Sequence, residues 1–251
     1  MTNSVEVAAR PAWPTPWLAS QTDEKQMFIR AREQTLNLIQ WLARIANSYV
    51  EETRPEDRVA LKFHGNGTFV TKTFARDIAV EMRLPSLEIQ FQEQSKPVPH
   101  ILDPEERSPA KVEAWILVEL LHRGLDRDKF STLLPYTIKN LLSGDAEDYS
   151  PQACAPGLMR LLVWFRAAAS ILSDGSSVVC LPQTLTLVAA PRRGAPVAGF
   201  SPGDTEHDEP YFFAGHGKKR RLLTASELAN EARPATAAAQ FIKSLADVRR
   251  A

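Results

Sequence analysis

The order of helical and extended patterns is the feature that most limits how this chain folds. A helical apolar period over residues 23–50 is followed by alternating apolar and polar residues, and then by more helical patterns. A second long helical pattern, ending near residue 172, is again followed by extended segments and then by helices. Because turns rather than crossover helices join the extended segments, we predict an α+β fold, an antiparallel sheet flanked by helices. The element order suggests two similar halves. An α/β sheet is the alternative, and it fits less well because the helices come in runs.

Capping and turn residues place several elements. His-Gly-Asn-Gly at residues 64–67 predicts a hairpin between two alternating segments. Ser108 and Pro109 predict the start of a helix that ends before Gly124, and its apolar residues surround it, which predicts an interior position. A second helix is predicted over residues 128–142. The proline-rich segment 95–109 and the basic segment 215–221 are predicted as loops.

The first 22 residues are predicted to form an extended arm ahead of a single α+β domain, residues 23–251. Three prolines in the arm oppose helix formation, while Trp13 and Trp17 offer apolar surface for docking on the domain. An acidic, proline-containing segment suggests an internal boundary near residues 144–156. A C-terminal helix presents an apolar face that includes Ala238 and Phe241, so it offers a second surface for association.

Charge and cysteine content exclude several classes of protein. Thirty Lys and Arg balance thirty Asp and Glu, whereas a dedicated nucleic-acid binder is normally strongly basic. Cys154 and Cys180 form no C-x-x-C pair, which argues against a zinc knuckle or a redox dithiol. The N-terminus lacks a continuous apolar signal segment, and charges interrupt the longest apolar stretches. We therefore predict a cytoplasmic protein that does not insert into membranes, and its charge balance argues against nucleic-acid binding.

One motif of serine hydrolases occurs but fails on its chemistry. Residues 199–203 read G-F-S-P-G and match G-x-S-x-G. The hydrolase mechanism uses the backbone N–H after the serine as an oxyanion donor, and Pro202 has none. A turn that ends a strand is the better interpretation. No other catalytic motif is recognisable, so whether the chain is an enzyme stays open.

An acidic segment followed closely by a basic one is the best candidate for a binding site. Loops at strand ends commonly form such sites. The segment does not match a calcium-binding loop, because Glu209 and Gly215 replace the required glycine and glutamate. The five histidines show no metal-ligand spacing, and we predict neither a metal nor a cofactor. The candidate ligand-binding residues are Asp204, Glu206, His207, His216, Lys218 and Arg220.

The segments WPTPWL, TLNLIQWLARI, LEIQF and GFSPGDTEHDEPYFF occur in an order that resembles an uncharacterised bacterial domain family of unknown function. Members of that family have a W-P-rich start and a late G-F-x-P-G followed by E-P and aromatic residues. The resemblance implies a single integrated domain and assigns no catalytic residue. The matching positions are Trp13, Pro14, Leu36, Leu87, Ile89, Gly199, Phe200, Pro202, Gly203, Glu209, Pro210, Tyr211 and Phe212.

Two functional hypotheses follow. The first is a binding or interaction protein of unknown ligand, with a protein partner or a second copy of the chain docking through the arm and the C-terminal helix. The alternative is an enzyme or small-ligand-binding protein whose site is formed by the loops at residues 199–221. The alternative predicts a concave pocket that contains acidic residues of this segment beside Lys218 or Arg220.

Overall fold

The computed structural model describes residues 13–14, 17, 22–173, 177–189, 197–216 and 219–247. The helices are Thr22–Tyr49 (α1), Pro55–Val59 (α2), Pro109–His122 (α3), Ala155–Leu172 (α4), Ala225–Leu228 (α5) and Pro234–Asp247 (α6). The strands are Leu61–His64 (β1), Thr68–Val70 (β2), Ile78–Arg83 (β3), Ile89–Glu93 (β4), Lys96–Leu102 (β5), Val178–Leu181 (β6), Thr186–Ala189 (β7), Val197–Ser201 (β8), Tyr211–His216 (β9) and Lys219–Thr224 (β10).

All ten strands of the described residues belong to one antiparallel sheet, in the order β10-β9-β8-β7-β6-β1-β2-β3-β4-β5. Each group of five consecutive strands forms a meander, and the first strands of the two meanders, β1 and β6, pair at the centre. A long helix precedes each meander and a shorter helix follows it. This confirms the predicted α+β fold with an antiparallel sheet and shows the same order of elements in both halves.

Two strands lie where the sequence predicts loops. Lys96–Leu102 forms β5 despite Pro97 and Pro99, because an edge strand pairs on one side only and tolerates residues that cannot donate a ladder hydrogen bond. Lys219–Thr224 forms the opposite edge and pairs with β9 in register over six positions. Both predictions were therefore wrong. The edge positions explain the errors, since proline and repeated positive charge are typical of strands that must not pair with other chains.

One face of the sheet is apolar across both halves and packs beneath the helices. Residues that are directly paired on neighbouring strands lie on the same face of the sheet. The pairs that link β1, β6, β7, β8 and β9 therefore form one continuous row across this face. Each member of this row is fully buried. Phe165 of α4 lies over the same face, with its ring against three phenylalanines of the sheet. The two halves therefore share a single hydrophobic core. The members of the row are Leu61, Cys180, Leu187, Phe200 and Phe212.

Helices α1 and α4 approach each other closely at a glycine. A Cβ atom on Gly157 would lie 2.3 Å from the carbonyl oxygen of Met27, so no larger residue fits without separating the helices. The described residues of the arm pack on the same helices. The Trp17 ring lies 5.3 Å from that of Phe28, and the Trp13 ring lies 5.8 Å from that of Trp164.

The segment predicted as a helix over residues 128–142 is mostly extended. Only Arg127–Lys129 forms a single 3₁₀ turn, and Pro135 interrupts any longer helix. We call residues 126–150 the connector, because they join α3 to the 3₁₀ turn Pro151–Cys154 that precedes α4. Beyond the 3₁₀ turn, several of its backbone groups bond to a polar stripe of α1. The hydrogen bonds join Tyr49 to Asp126, Ser48 to Ser131, Arg44 to Thr132, Asn47 to Leu133 and Asn37 to Leu142.

Helix α3 begins and ends as predicted but does not lie in the interior. The Ser108 side chain accepts a hydrogen bond from the Lys111 backbone N–H, and Gly124 follows the helix with a positive φ of 65°. Val118 and Leu121, however, are 48% and 57% exposed. The prediction of an interior helix was wrong because α3 lies near the β5 edge, where only one side of it meets the sheet.

One segment of the described chain, Pro151–Leu172, is long and apolar enough by length and composition to cross a membrane. The sequence predicts a helix here, in which charges interrupt the apolar stretch before the length of a membrane span. About half of its most apolar window, 56%, is buried inside the protein, which is also true of the core helix of a globular domain. This single segment is weak evidence for membrane insertion.

Candidate functional site

The acidic segment forms a closed loop around Asp204. One oxygen of its carboxylate accepts hydrogen bonds from the backbone N–H groups of Glu206 and His207, both at 2.8 Å. The other oxygen accepts the Tyr211 hydroxyl at 2.6 Å. The backbone N–H of Asp204 in turn donates to the carbonyl of His207 at 2.7 Å. The carboxylate is thus occupied in holding the loop, which suits a structural role better than proton transfer.

These contacts shift the pKa values of Asp204 and Tyr211. Burial alone would raise the pKa of Asp204, but the hydrogen bonds from Tyr211, His207 and Glu206 outweigh it and hold the pKa below its ordinary value. Burial, reinforced by the hydrogen bond to Asp204, raises the pKa of Tyr211 to about 12. The pair therefore stays as a carboxylate and a neutral phenol across the physiological range.

Arg32 of α1 lies directly beneath this loop. Gly203 has a φ of 100°, and a Cβ atom there would lie 2.5 Å from Nη1 of Arg32. That nitrogen is buried and has no hydrogen-bond partner among the described residues. Burial lowers the pKa of Arg32, partly offset by the nearby charges of Glu33, Asp208 and Asp204. An arginine with spare donors therefore stands beside the acidic loop.

The structure brings together three of the six predicted residues. Asp204, Glu206 and His207 share the loop, whereas Arg220 lies on β10 with its guanidinium 5.0 Å from the centre of the Phe213 ring. Arg220 lies near enough to Tyr211 for its charge to counteract the rise in the Tyr211 pKa. The backbone of His216 ends β9, but its side chain is not described, and Lys218 lies outside the described residues.

The acidic loop forms part of the wall of a groove of about 810 Å³ between α1 and the connector. This volume lies within the range for sites that hold small molecules, roughly 300–1,000 Å³. Residues 203–205 and the β6–β7 turn, residues 183–185, complete the walls. The lining combines both signs of charge with amides and hydroxyls. Its cations are Arg30, Arg32 and Lys139, and its carboxylates are Glu33, Glu147, Asp148 and Asp204.

A buried glutamine keeps the groove walls in place. Gln40 of α1 is fully buried, and its side-chain amide donates to the Pro182 carbonyl at 2.8 Å. Its oxygen accepts the Tyr136 hydroxyl of the connector at 2.9 Å. One side chain thus ties the connector and the β6–β7 turn to α1. Because buried amides are costly to leave unpaired, this arrangement preorganises the groove.

Of the residues that line this groove, only Asp204 is predicted from the sequence as a ligand-binding residue. Among the described residues, its positive charges come from Arg30 and Arg32 of α1 and from Lys139 of the connector, and the wall opposite α1 comes from a segment predicted as a helix. A polar stripe on α1, which includes Asn37 and Arg44, was a signal in the sequence for this groove. A helix that is covered only by apolar packing does not require polar residues on the covered side.

Cys154 lines the groove, and both free cysteines are buried. Burial raises the pKa of the Cys154 thiol to about 11 and raises that of Cys180 as well. Since the thiolate is the reactive form, the raised pKa leaves the Cys154 thiol almost entirely protonated and unreactive at pH 8. We expect iodoacetamide at pH 8 to alkylate neither thiol in the folded protein within an hour and both after denaturation, as mass spectrometry can measure. Rapid native alkylation of either thiol would contradict the described burial.

Two histidines and a glutamate form a second cluster, at the β5 edge. His100 lies on β5, and Glu119 and His122 lie one turn apart on α3. Nδ1 of His100 is 3.1 Å and Nδ1 of His122 is 3.8 Å from Oε1 of Glu119. From the sequence, the five histidines show no metal-ligand spacing, and no metal site is predicted. The E-x-x-H spacing on α3 was a usable signal, but His100 joins it only through the fold.

The comparisons with known proteins identify no relative. No family model, no curated protein and no solved structure matches this chain. The resemblance to an uncharacterised bacterial domain family therefore stays a prediction.

Proposed function

We propose that this protein is a binding protein that holds a small polar ligand in the groove between α1 and the connector. The observation that supports this most is the preorganised groove of about 810 Å³, with Gln40 holding two of its walls. Self-association has less support than ligand binding. Trp13, Trp17 and Ala238, which belong to the surfaces predicted for it, pack within the chain itself. Self-association stays a prediction.

The charged residues that line the groove indicate which class of ligand it binds. Arg30 and Arg32 face the groove from α1, and Glu147 and Asp148 face it from the connector. A ligand with both a carboxylate and an ammonium group, such as an amino acid or a short peptide, would match both signs. Its carboxylate would pair with the guanidinium groups of Arg30 and Arg32 that line the groove.

Binding fits the site better than catalysis. The three hydrogen bonds that Asp204 accepts leave it poorly placed as a general base, and Ser201 is buried at the end of β8. Asp204 and Ser201 are therefore poorly placed to act as the base and the nucleophile that the enzyme alternative needs. The two free, buried cysteines agree with a reducing cytoplasm, which we propose as the location.

Thermal unfolding in the presence of a defined panel tests this proposal. The panel holds the twenty amino acids and a set of dipeptides, with AMP and glucose 6-phosphate as ligands of one charge sign. We expect at least one zwitterionic member to raise the melting temperature of the wild-type protein, since a ligand at about 100 times its Kd stabilises by about 2.7 kcal/mol.

A blocking variant locates the binding. Ala153 is exposed and lines the groove, so Ala153→Trp should fill it and abolish the ligand-induced shift. Gln152→Trp is the matched control, because Gln152 is exposed, adjacent and outside the lining, and it should keep the full shift. The proposal fails if no panel member shifts the wild-type protein, or if Ala153→Trp responds as the control does.

A further inference from the structure

We propose that His100, Glu119 and His122 bind one zinc ion at the β5 edge, a site separate from the groove. The three side chains each present a ligand atom, and these atoms all lie within 4.8 Å of one another. Tetrahedral zinc with bonds of about 2.0–2.1 Å places its ligand atoms about 3.3 Å apart. The two distances to Oε1 of Glu119, 3.1 Å and 3.8 Å, are close to that separation.

Glu119 is held in place for this role before any metal arrives. Its side chain is only 3% exposed, and its second oxygen accepts a hydrogen bond from Nη1 of Arg123 at 2.7 Å. Arg123 is itself fixed, with its guanidinium 4.4 Å from the centre of the Phe91 ring and its Nε 3.2 Å from a carboxylate oxygen of Glu93. Arg123 thus orients the carboxylate so that Oε1 faces the two histidines, as outer-shell partners do in metal sites.

The burial pattern leaves the site open to solvent. The side chains of His100 and His122 are 63% and 58% exposed, while the anion between them is buried. Two imidazoles and one carboxylate suit zinc better than calcium or magnesium, which prefer sites made of oxygen ligands alone. Three protein ligands leave a fourth position for water or for an outside group.

Zinc competition measures this site directly. The untagged full chain is treated with a chelator and then titrated with Zn²⁺ against the indicator 4-(2-pyridylazo)resorcinol. We expect one equivalent to bind, with His100→Ala and His122→Ala each weakening the affinity at least about 10-fold and the double variant removing this binding. X-ray absorption at the zinc edge should show two imidazole ligands.

His64→Ala is the matched control, since His64 is exposed on the β1–β2 hairpin and outside the cluster. It should bind zinc as the wild-type protein does. Both exposed histidines can be removed at little cost to folding, so the metal-free variants should unfold at the wild-type temperature. Absence of stoichiometric binding, or wild-type affinity in the double variant, would overturn the proposal. The groove variant Ala153→Trp should bind zinc normally, which separates this site from the proposed function.

Discussion

Replacing Phe165 with alanine is expected to lower the free energy of unfolding by about 4 kcal/mol, the usual cost of removing a fully buried phenylalanine. The Phe165 ring lies 5.5 Å from those of Phe63 and Phe69 and 5.7 Å from that of Phe200. These rings belong to β1, β2 and β8, so the cavity would open between the two halves of the sheet. Urea denaturation followed by fluorescence and by circular dichroism measures the change.

Met159→Ala on the same helix is the control. Met159 is 50% exposed, and its replacement should change the free energy of unfolding by less than about 0.5 kcal/mol. Because the halves share one core, the Phe165 variant should still unfold in a single transition with both probes. Two separate transitions, or a loss no larger than that of Met159→Ala, would show that the halves do not share this core.

Replacing Gly157 with alanine is expected to cost about 3 kcal/mol, although alanine is the better helix former. The added Cβ would lie 2.3 Å from the oxygen and 2.7 Å from the carbon of the Met27 carbonyl, and a backbone group cannot move aside without shifting α1. The same denaturation assay measures the loss.

Gly65→Ala is the matched control, because a Cβ there meets nothing within 4 Å. The identical substitution should change the free energy of unfolding by no more than about 0.5 kcal/mol. If both alanine variants are equally stable, α1 and α4 do not pack as described.

The sequence predicts the elements whose signals are local. The apolar period that includes Phe28, Leu38 and Ile45 is confirmed by their burial in α1, and the helix start predicted at Ser108 is confirmed by its side-chain cap on α3. Such signals need only neighbours three or four residues apart. They also support the α+β assignment, since the fold class follows from element order.

Tertiary contacts decide what the sequence could not predict. Residues 130–142 contain apolar residues at helical spacing, yet Leu133 is 75% exposed because the backbone bonds to α1 instead. Arg32, Asp148 and Asp204 are far apart in the sequence but line the same groove. His100 and Glu119 likewise lie on different elements but belong to the same cluster of candidate metal ligands. No spacing rule relates residues that meet only because the sheet and α3 bring them together.

A ¹⁵N–¹H correlation spectrum, recorded while the most stabilising ligand of the panel is titrated, tests the central claim most directly. The account predicts that the largest shift changes fall in three segments that contribute lining residues to the groove, namely residues 30–37 of α1, 137–150 of the connector and 203–205. Shift changes concentrated instead around Lys62, His64 and Arg166, which line a separate pocket at the sheet centre, would contradict it.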